Sequence, residues 1–165
     1  MFDVTYADNH GLTAAELVNF YRLIQHDTTS SVERIRQMMA YSDVFVTARI
    51  DGQLVGVARG LCDGVRGYFA ECKLDPRYQG PAAVTRTDGR IEHDQYGIAA
   101  EMARRVLEKL SQAGAQRIDV LAYGTEVDFL EEQGFRRVGG LVGLTWRQGN
   151  APASAFQREP AEATT

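Results

Sequence analysis

The stretch between residues 68 and 110 combines residue types that together can form a site for an anion. Residues 68–74 predict a strand, a loop containing Gly80 follows, and from Gly97 onward the apolar residues recur at helical spacing. The N-terminus of a helix leaves backbone N–H groups without intrahelical partners and carries the positive end of the helix dipole. A glycine there lets a phosphate group approach the main chain closely, although a glycine taken alone is more typical of a tight turn. The combination predicts a phosphate-bearing ligand.

The same residues resemble the signature of the GNAT superfamily of N-acetyltransferases. That signature, Leu-x-Val-x-Pro-x-Tyr-Gln/Arg-Gly-x-Gly-Ile-Gly/Ala, joins a strand to the helix that carries the coenzyme A pyrophosphate. Residues 72–80 (Cys-Lys-Leu-Asp-Pro-Arg-Tyr-Gln-Gly) match its first half, and residues 96–99 (Tyr-Gly-Ile-Ala) match its second half. Residues 81–95 separate the two halves as an insertion that the usual pattern lacks.

The resemblance implies acetyl-coenzyme A as the co-substrate and a set of residues that bind it. Cys72 and Leu74 are expected to contact the pantetheine arm through their backbone groups. The phosphate cradle is expected to consist of Gln79, Gly80, Gly97, Ile98, Ala99 and Ala100.

A second part of the resemblance lies downstream, where the superfamily commonly has Asn-x-x-Ala-x-x-Phe-Tyr-x-x-x-Gly-Phe. Phe129, Gly134 and Phe135 fit this pattern. Three positions depart from it, because Tyr123 replaces the Asn, Glu126 the Ala and Leu130 the Tyr. That Tyr often protonates the departing thiolate, so the usual proton donor is replaced by an apolar residue.

Two residues are predicted to move protons in the reaction. Acyl transfer needs a neutral amine as nucleophile, so a base or a water chain must remove its proton. Glu71 is the candidate base, since it precedes Leu74 on the strand that should border the acyl group; an ion-paired structural carboxylate is the alternative. Tyr123 is the candidate acid for the thiolate, with aromatic packing beside the co-substrate as the alternative.

Composition predicts one cytoplasmic domain. The chain has 165 residues, of which 44% are hydrophobic, and this is enough for one ordinary core and too little for two comfortable domains. We assign residues 1–147 to the domain and predict a disordered tail for residues 148–165, which lack apolar periodicity. Cys62 and Cys72 are predicted to be buried free thiols, and the three histidines lack metal-ligand spacing, so no metal is expected.

Charge and hydropathy narrow the range of partners. The formal net charge of −4 argues against broad binding to nucleic-acid phosphates and weakly favours a cationic amine. No apolar run approaches the roughly 20 residues of a membrane span, and the first residues do not resemble a signal peptide, so we expect no membrane partner.

Periodicity and turn residues predict the element order β-α-α-β-β-β-α-β-α-β. Capping residues predict helix starts at Thr13, Ser30 and Thr125. Asp51-Gly52 predicts a type I′ hairpin, and residues 135–146 predict the last strand or pair of strands. The order resembles the GNAT fold, a single α/β (α+β) domain with a mixed central sheet of about six to seven strands.

The insertion at residues 81–95 has three alternative roles. Asp88-Gly89 lies between two short arms and predicts a small ordered hairpin. The hairpin could close over the acyl donor as a lid, with Arg86 or Arg90 on its phosphate. It could pack on a second subunit in a homodimer, or it could occupy the pyrophosphate position itself.

Taken together, the residues and the resemblance predict an N-acetyltransferase that moves an acetyl group from acetyl-coenzyme A to a primary amine of a small molecule. One alternative is a GNAT-fold acyltransferase with another donor, either a longer acyl-coenzyme A or an aminoacyl-tRNA. Nucleic acid is an expected partner only in the aminoacyl-tRNA case. The other alternative is a non-catalytic GNAT-like binding protein.

Overall fold

A computed structural model describes residues 1–8, 11–26, 30–83 and 88–149. Its elements follow in the order β1 (Val4–Asp8), α1 (Ala14–Leu23), α2 (Val32–Tyr41), β2 (Val44–Ile50), β3 (Gln53–Cys62), β4 (Arg66–Leu74), α3 (Ile98–Gln112), β5 (Arg117–Asp119) and α4 (Val127–Glu132). Short 3₁₀ turns at Pro76–Tyr78 and Gly124–Glu126 follow β4 and precede α4.

The strands form one mixed sheet in the order in which they occur along the chain. Strands β1 to β4 are antiparallel neighbours, and β5 lies parallel to β4. The β3–β4 register shifts within the ladder, since Arg59 pairs with Glu71 and Gly60 with Phe69. Ala70 is therefore the extra residue of a β-bulge, which bends β4 next to the pocket described below.

Local sequence signals explain several of these elements. The Thr13 hydroxyl accepts a hydrogen bond from the Glu16 N–H at 3.1 Å, which confirms the predicted cap of α1. Asp51 and Gly52 both have positive φ, 50° and 78°, as a type I′ turn requires, so the predicted hairpin is confirmed. The second helix begins one residue later than predicted, because Ser31 rather than Ser30 caps it.

Each face of the sheet is covered by helices. On one face α3 packs on the strands through its buried stripe of Ile98, Met102, Val106 and Leu110. Gly56 on β3 permits this close approach, since a Cβ at that position would lie 2.7 Å from the Met102 methyl carbon. On the other face α1 and α2 bury a second cluster that includes Leu17, Tyr21, Ile24 and Phe45.

The sheet has five strands among the described residues, fewer than predicted. β5 ends at Asp119 rather than at Ala122, and residues 135–146 contain no strand. Glycines interrupt this segment: Gly139 and Gly140 lie in a turn in which the Leu141 N–H donates to the Val138 carbonyl at 3.2 Å. Phe135 is partly buried, but the other large apolar side chains are exposed, namely Val138, Leu141, Val142, Leu144 and Trp146.

The remaining sequence predictions have mixed outcomes. Thr125 lies inside a 3₁₀ turn, and α4 begins at Val127 instead. Cys62 and Cys72 are free thiols, but only Cys72 is buried. Residues 150–165, which make up most of the predicted tail, lie outside the described residues. Within the described ranges, none of the helices has the length and apolar character needed to cross a membrane.

Candidate active site

A pocket of about 180 Å³ opens where β4 and β5 separate. The two strands pair at three positions, of which the last is Tyr68 with Asp119. Beyond this pair, the continuing β4 and residues 120–121 form opposite walls of the pocket. The residues with ionisable side chains that line the pocket are His26, Glu71, Cys72, Lys73, Tyr123 and Glu126. The structure therefore places both predicted proton-transfer residues, Glu71 and Tyr123, in one pocket.

Cys72 presents its backbone rather than its thiol to this pocket. The Leu74 N–H points away from β3, and N–H groups two residues apart on a strand point to the same edge, so the Cys72 N–H faces the pocket. Burial, followed by the charges of Asp94 and Glu126, raises the pKa of the Cys72 thiol far above its usual range. The thiol is therefore neutral and no nucleophile, whereas the N–H can donate to a carbonyl oxygen.

Glu71 is held by two side chains from other elements. The Tyr21 hydroxyl of α1 donates a hydrogen bond to Glu71 Oε1, and Arg59 Nη2 of β3 lies 3.6 Å from Oε2. Burial, followed by the negative charge of Glu71, raises the pKa of Tyr21 well above its usual range, so the phenol stays a donor. A carboxylate oxygen has two lone pairs, so Glu71 retains acceptor capacity toward the pocket.

Tyr123 lies at the mouth of the pocket, with 61% of its surface exposed. The Arg90 guanidinium carbon lies 3.6 Å from the centre of its ring, a cation–π contact. The Tyr123 N–H donates to Glu126 Oε2 at 3.0 Å, which fixes the loop after β5. Leu130, at the position where the superfamily often has Tyr, is a buried residue of the pocket wall.

The N-terminus of α3, the predicted phosphate cradle, already holds an anion. Gly97 has the left-handed φ of 71° and precedes the first turn. The Asp94 carboxylate accepts hydrogen bonds from the Ala99 N–H at 3.0 Å and the Ala100 N–H at 2.8 Å. A carboxylate at this position is stabilised by the helix dipole, as a phosphate would be. Asp94 belongs to the insertion and was missed by the sequence analysis.

Gln79 is fully buried, and its amide connects the insertion to the end of β4. Its Nε2 donates to the carbonyls of Leu74 at 3.0 Å and Arg90 at 2.9 Å. Its Oε1 accepts from the backbone N–H groups of Glu92 and His93. The side chain thus has four main-chain partners, and its predicted phosphate contact stays a prediction.

The neighbouring loop residues are shaped by the insertion as well. Gly80 has a φ of 108°, and a Cβ there would lie 2.6 Å from Gln95 Oε1, so glycine is required on both grounds. The predicted hairpin at Asp88-Gly89 has positive φ at both residues, although residues 84–87 of its first arm lie outside the described part of the chain. The Arg90 guanidinium, one of the predicted phosphate contacts, forms an ion pair with the Asp88 carboxylate.

The predicted residues Glu71, Cys72 and Tyr123 line the same pocket, and their roles stay predictions. Tyr21, Arg59 and His26, which lie far away in sequence, were not predicted. The capping preference for aspartate does not point to Asp94, because the N-cap of α3 is Gly97 and Asp94 lies three residues before it. No group of three or more His, Cys, Asp or Glu residues in the described part of the chain could hold a metal ion.

Solved structures share this arrangement of elements. A GNAT-family acetyltransferase from Streptococcus pneumoniae has a TM-score of 0.66 and 16% identity, over 90% of this chain and 100% of that chain. Glucosamine-6-phosphate N-acetyltransferase from Arabidopsis thaliana has a TM-score of 0.62 and 12% identity, over 87% and 99%. An aminoglycoside acetyltransferase from an uncultured soil sample, in complex with sisomicin, has a TM-score of 0.60 and 10% identity, over 88% and 95%.

This chain has the GNAT fold. The three matched structures cover 87% to 90% of this chain, so the likeness extends over most of its length. No protein-family model and no curated protein sequence matches the chain. At these sequence identities, the structural similarity shows that the chain shares the GNAT fold. It does not show that the chain shares the substrates of these proteins.

Proposed function

We propose that this protein is an N-acetyltransferase that moves the acetyl group of acetyl-coenzyme A to a primary amine of a small molecule. The observation that carries the proposal is the pocket between β4 and β5 of a GNAT fold, which combines the Cys72 N–H, Glu71 and Tyr123. These three groups match the three needs of acyl transfer, namely a donor to the carbonyl oxygen, a base and an acid.

The proposed reaction is direct attack of the amine on the thioester. Glu71 accepts a proton from the ammonium, and the neutral nitrogen forms a bond to the carbonyl carbon. The oxyanion that develops accepts a hydrogen bond from the Cys72 N–H. The C–S bond then breaks, and coenzyme A departs as a thiolate that takes one proton from Tyr123. The nitrogen gives its second proton to solvent water to leave the amide, and the Tyr123 phenolate recovers a proton from water.

Support for Glu71 as the base comes from how it is held. Tyr21 and Arg59 fix the carboxylate at the pocket wall, and a positioned carboxylate needs little reorganisation when it receives a proton.

Support for Tyr123 as the acid is its exposure. A phenol at the mouth of the pocket can give a proton to the thiolate and recover one from water. The Arg90 guanidinium contacts the face of the ring, and this contact does not use the hydroxyl.

An amine-bearing small molecule is the proposed acceptor. Of the structures with this fold, one is named for glucosamine-6-phosphate and another contains sisomicin, so the fold accommodates amine acceptors of this kind. The net charge of −4 of the chain favours the approach of a cationic amine.

A second candidate is a GNAT-like binding protein without catalytic activity. One observation favours it: Asp94 and Gly89 hold main-chain groups that coenzyme A is expected to use, at Ala99, Ala100 and Leu74. Since these N–H groups are already hydrogen-bonded, coenzyme A can use them only if residues 88–95 move. A longer acyl-coenzyme A as donor meets the same obstacle at Leu74.

The test is acetyl transfer by the purified protein. Acetyl-coenzyme A is mixed with separate amines, including glucosamine-6-phosphate and sisomicin, and both free thiol and acetylated amine are quantified. We expect at least one amine to be acetylated with equal release of thiol. If no amine is acetylated and millimolar acetyl-coenzyme A does not bind, the acetyltransferase proposal is wrong.

A further inference from the structure

Residues 88–95, which we call the strap, lie along the predicted path of the acyl donor. The Gly89 carbonyl accepts a hydrogen bond from the Leu74 N–H at 2.9 Å, as an added strand would. Ile91 is 1% exposed and reaches both the main core and the wall of the pocket. The strap therefore covers the end of β4 and closes one side of the pocket.

An ion pair attaches the first part of the strap to β4, and a cation–π contact attaches it to the opposite wall. Arg90 pairs with Asp88, and Lys73 Nζ of β4 lies 4.0 Å from Asp88 Oδ1. Burial opposes ionisation of Asp88, but the hydrogen bond from Arg90 and the charge of Lys73 outweigh it and hold the pKa of Asp88 below its usual range. The cation–π contact of Arg90 with Tyr123 then connects the strap across the pocket.

The last part of the strap is held by Gln79 and by α3. Gln79 Oε1 accepts from the N–H groups of Glu92 and His93, and the Gln95 N–H donates to the Gln79 carbonyl at 3.1 Å. Asp94 then places its carboxylate on the Ala99 and Ala100 N–H groups. The strap thus supplies a carbonyl to β4 and an anion to α3.

We propose that the strap is an internal competitor of the acyl donor. When docked, it occupies the groups that would receive the amide and the phosphates of coenzyme A, so donor binding and strap docking are mutually exclusive. The inference rests on the proposed function, because it names the ligand that the strap excludes. The apparent dissociation constant of the donor is then raised by the inverse of the fraction of molecules with an undocked strap.

The competition follows from the chemistry of the replaced groups. A donor phosphate would replace the Asp94 carboxylate on the same two N–H groups, and repulsion between the two anions prevents both from binding there. Neutralising Asp94 weakens strap docking, because hydrogen bonds to a charged acceptor are the stronger ones. It also removes a negative charge from the phosphate position.

The experiment is calorimetric titration of acetyl-coenzyme A into the wild type, Asp94→Asn and the matched control Asp128→Asn. Asp128 is exposed on α4, so its substitution removes one negative charge away from the strap. We expect Asp94→Asn to bind roughly 10-fold tighter or more, since charged hydrogen bonds are worth about that much, and the control to match the wild type. Equal or weaker binding by Asp94→Asn overturns the strap proposal.

Hydrogen exchange of the wild type provides a second measurement that needs no substitution. Saturating acetyl-coenzyme A should increase exchange at the strap amides while it protects Cys72. Unchanged or slower exchange at the strap overturns the proposal even if Asp94→Asn fails to fold. If acetyl-coenzyme A binds all three proteins equally, the strap proposal fails and the acetyltransferase survives; if it binds none, both fail.

Discussion

The backbone N–H of Leu74 donates a hydrogen bond to the carbonyl of Gly89, with 2.9 Å between nitrogen and oxygen. Two residues upstream, the Cys72 N–H points to the same edge of β4 and faces the pocket. The strap thus covers the end of β4 but not the position at which an acyl carbonyl would be polarised. The binding of the donor and the reaction of the bound donor therefore depend on different N–H groups of β4 and can be tested separately.

Glu71→Gln should lower the rate of acetyl transfer by about 10²-fold or more, because it removes the proposed base and preserves the shape of the side chain. The acidic limb of the pH–rate profile should flatten with it. Steady-state kinetics over a range of pH measure both effects, with the exposed Glu132→Gln as the matched control. Activity within a few-fold of the wild type would mean that Glu71 has a structural role and is not the base.

If the phenol protonates the thiolate, Tyr123→Phe should lower the rate of acetyl transfer by roughly 10-fold or more. The substitution removes the hydroxyl group and keeps the aromatic ring that contacts Arg90. Tyr123→Leu removes the ring as well and serves as the comparison. If Tyr123→Phe has wild-type turnover and only Tyr123→Leu is impaired, the residue contributes packing and not acid catalysis.

Gly97→Glu should abolish acetyl-coenzyme A binding, since it brings a negative charge to the N-terminus of α3. The matched variant is Gly97→Asn, because Asn tolerates the left-handed φ of 71° at this position, and open space surrounds its Cβ. Calorimetric titration should detect binding to Gly97→Asn alone. Equal affinity of the two variants would place the donor phosphates elsewhere.

Gln79→Leu should reduce the free energy of unfolding by about 3 kcal/mol or more, since it leaves buried main-chain groups of Leu74, Arg90, Glu92 and His93 without their partner. Urea unfolding measures the loss, and the exposed Gln37→Leu on α2 controls for the change of residue type. A loss below about 1 kcal/mol would mean that water replaces the Gln79 amide.

Tyr21→Phe should destabilise the protein by about 1.5–3 kcal/mol at neutral pH, because it removes a hydrogen bond to the charged Glu71. The folded state raises the pKa of Tyr21 through burial and the charge of Glu71. The contribution of the phenol is therefore fully present below the unfolded pKa of about 10 and is lost as the pH rises above it. Thermal unfolding between pH 7 and 11 should show the two proteins converging at high pH; a constant difference would contradict this.

The elements that local sequence determines were predictable. The Asp51-Gly52 turn, the Thr13 cap and the stripe of α3 depend on residues within one or two turns of each other, and all three are confirmed. The order of the elements places Glu71 and Tyr123 in one pocket. The signature residues indicated that order.

What the sequence did not reveal depends on long-range packing. Tyr21 reaches Glu71 across 50 positions in sequence, and their contact follows from how α1 lies on the sheet. The segment 135–146 was predicted as a strand or pair of strands, but its glycines and the early end of β5 leave it irregular. Asp94 looked like a loop residue, because its role appears only when the strap folds back onto α3.

The most direct test is a backbone amide NMR titration of the wild-type protein with acetyl-coenzyme A. The proposed donor site predicts saturable shift changes at Cys72, Leu74, Ala99 and Ala100, together with changes along residues 88–95 as the strap is displaced. Shifts confined to other surfaces, or none at millimolar acetyl-coenzyme A, would contradict the assignment of this pocket as an acyl-donor site.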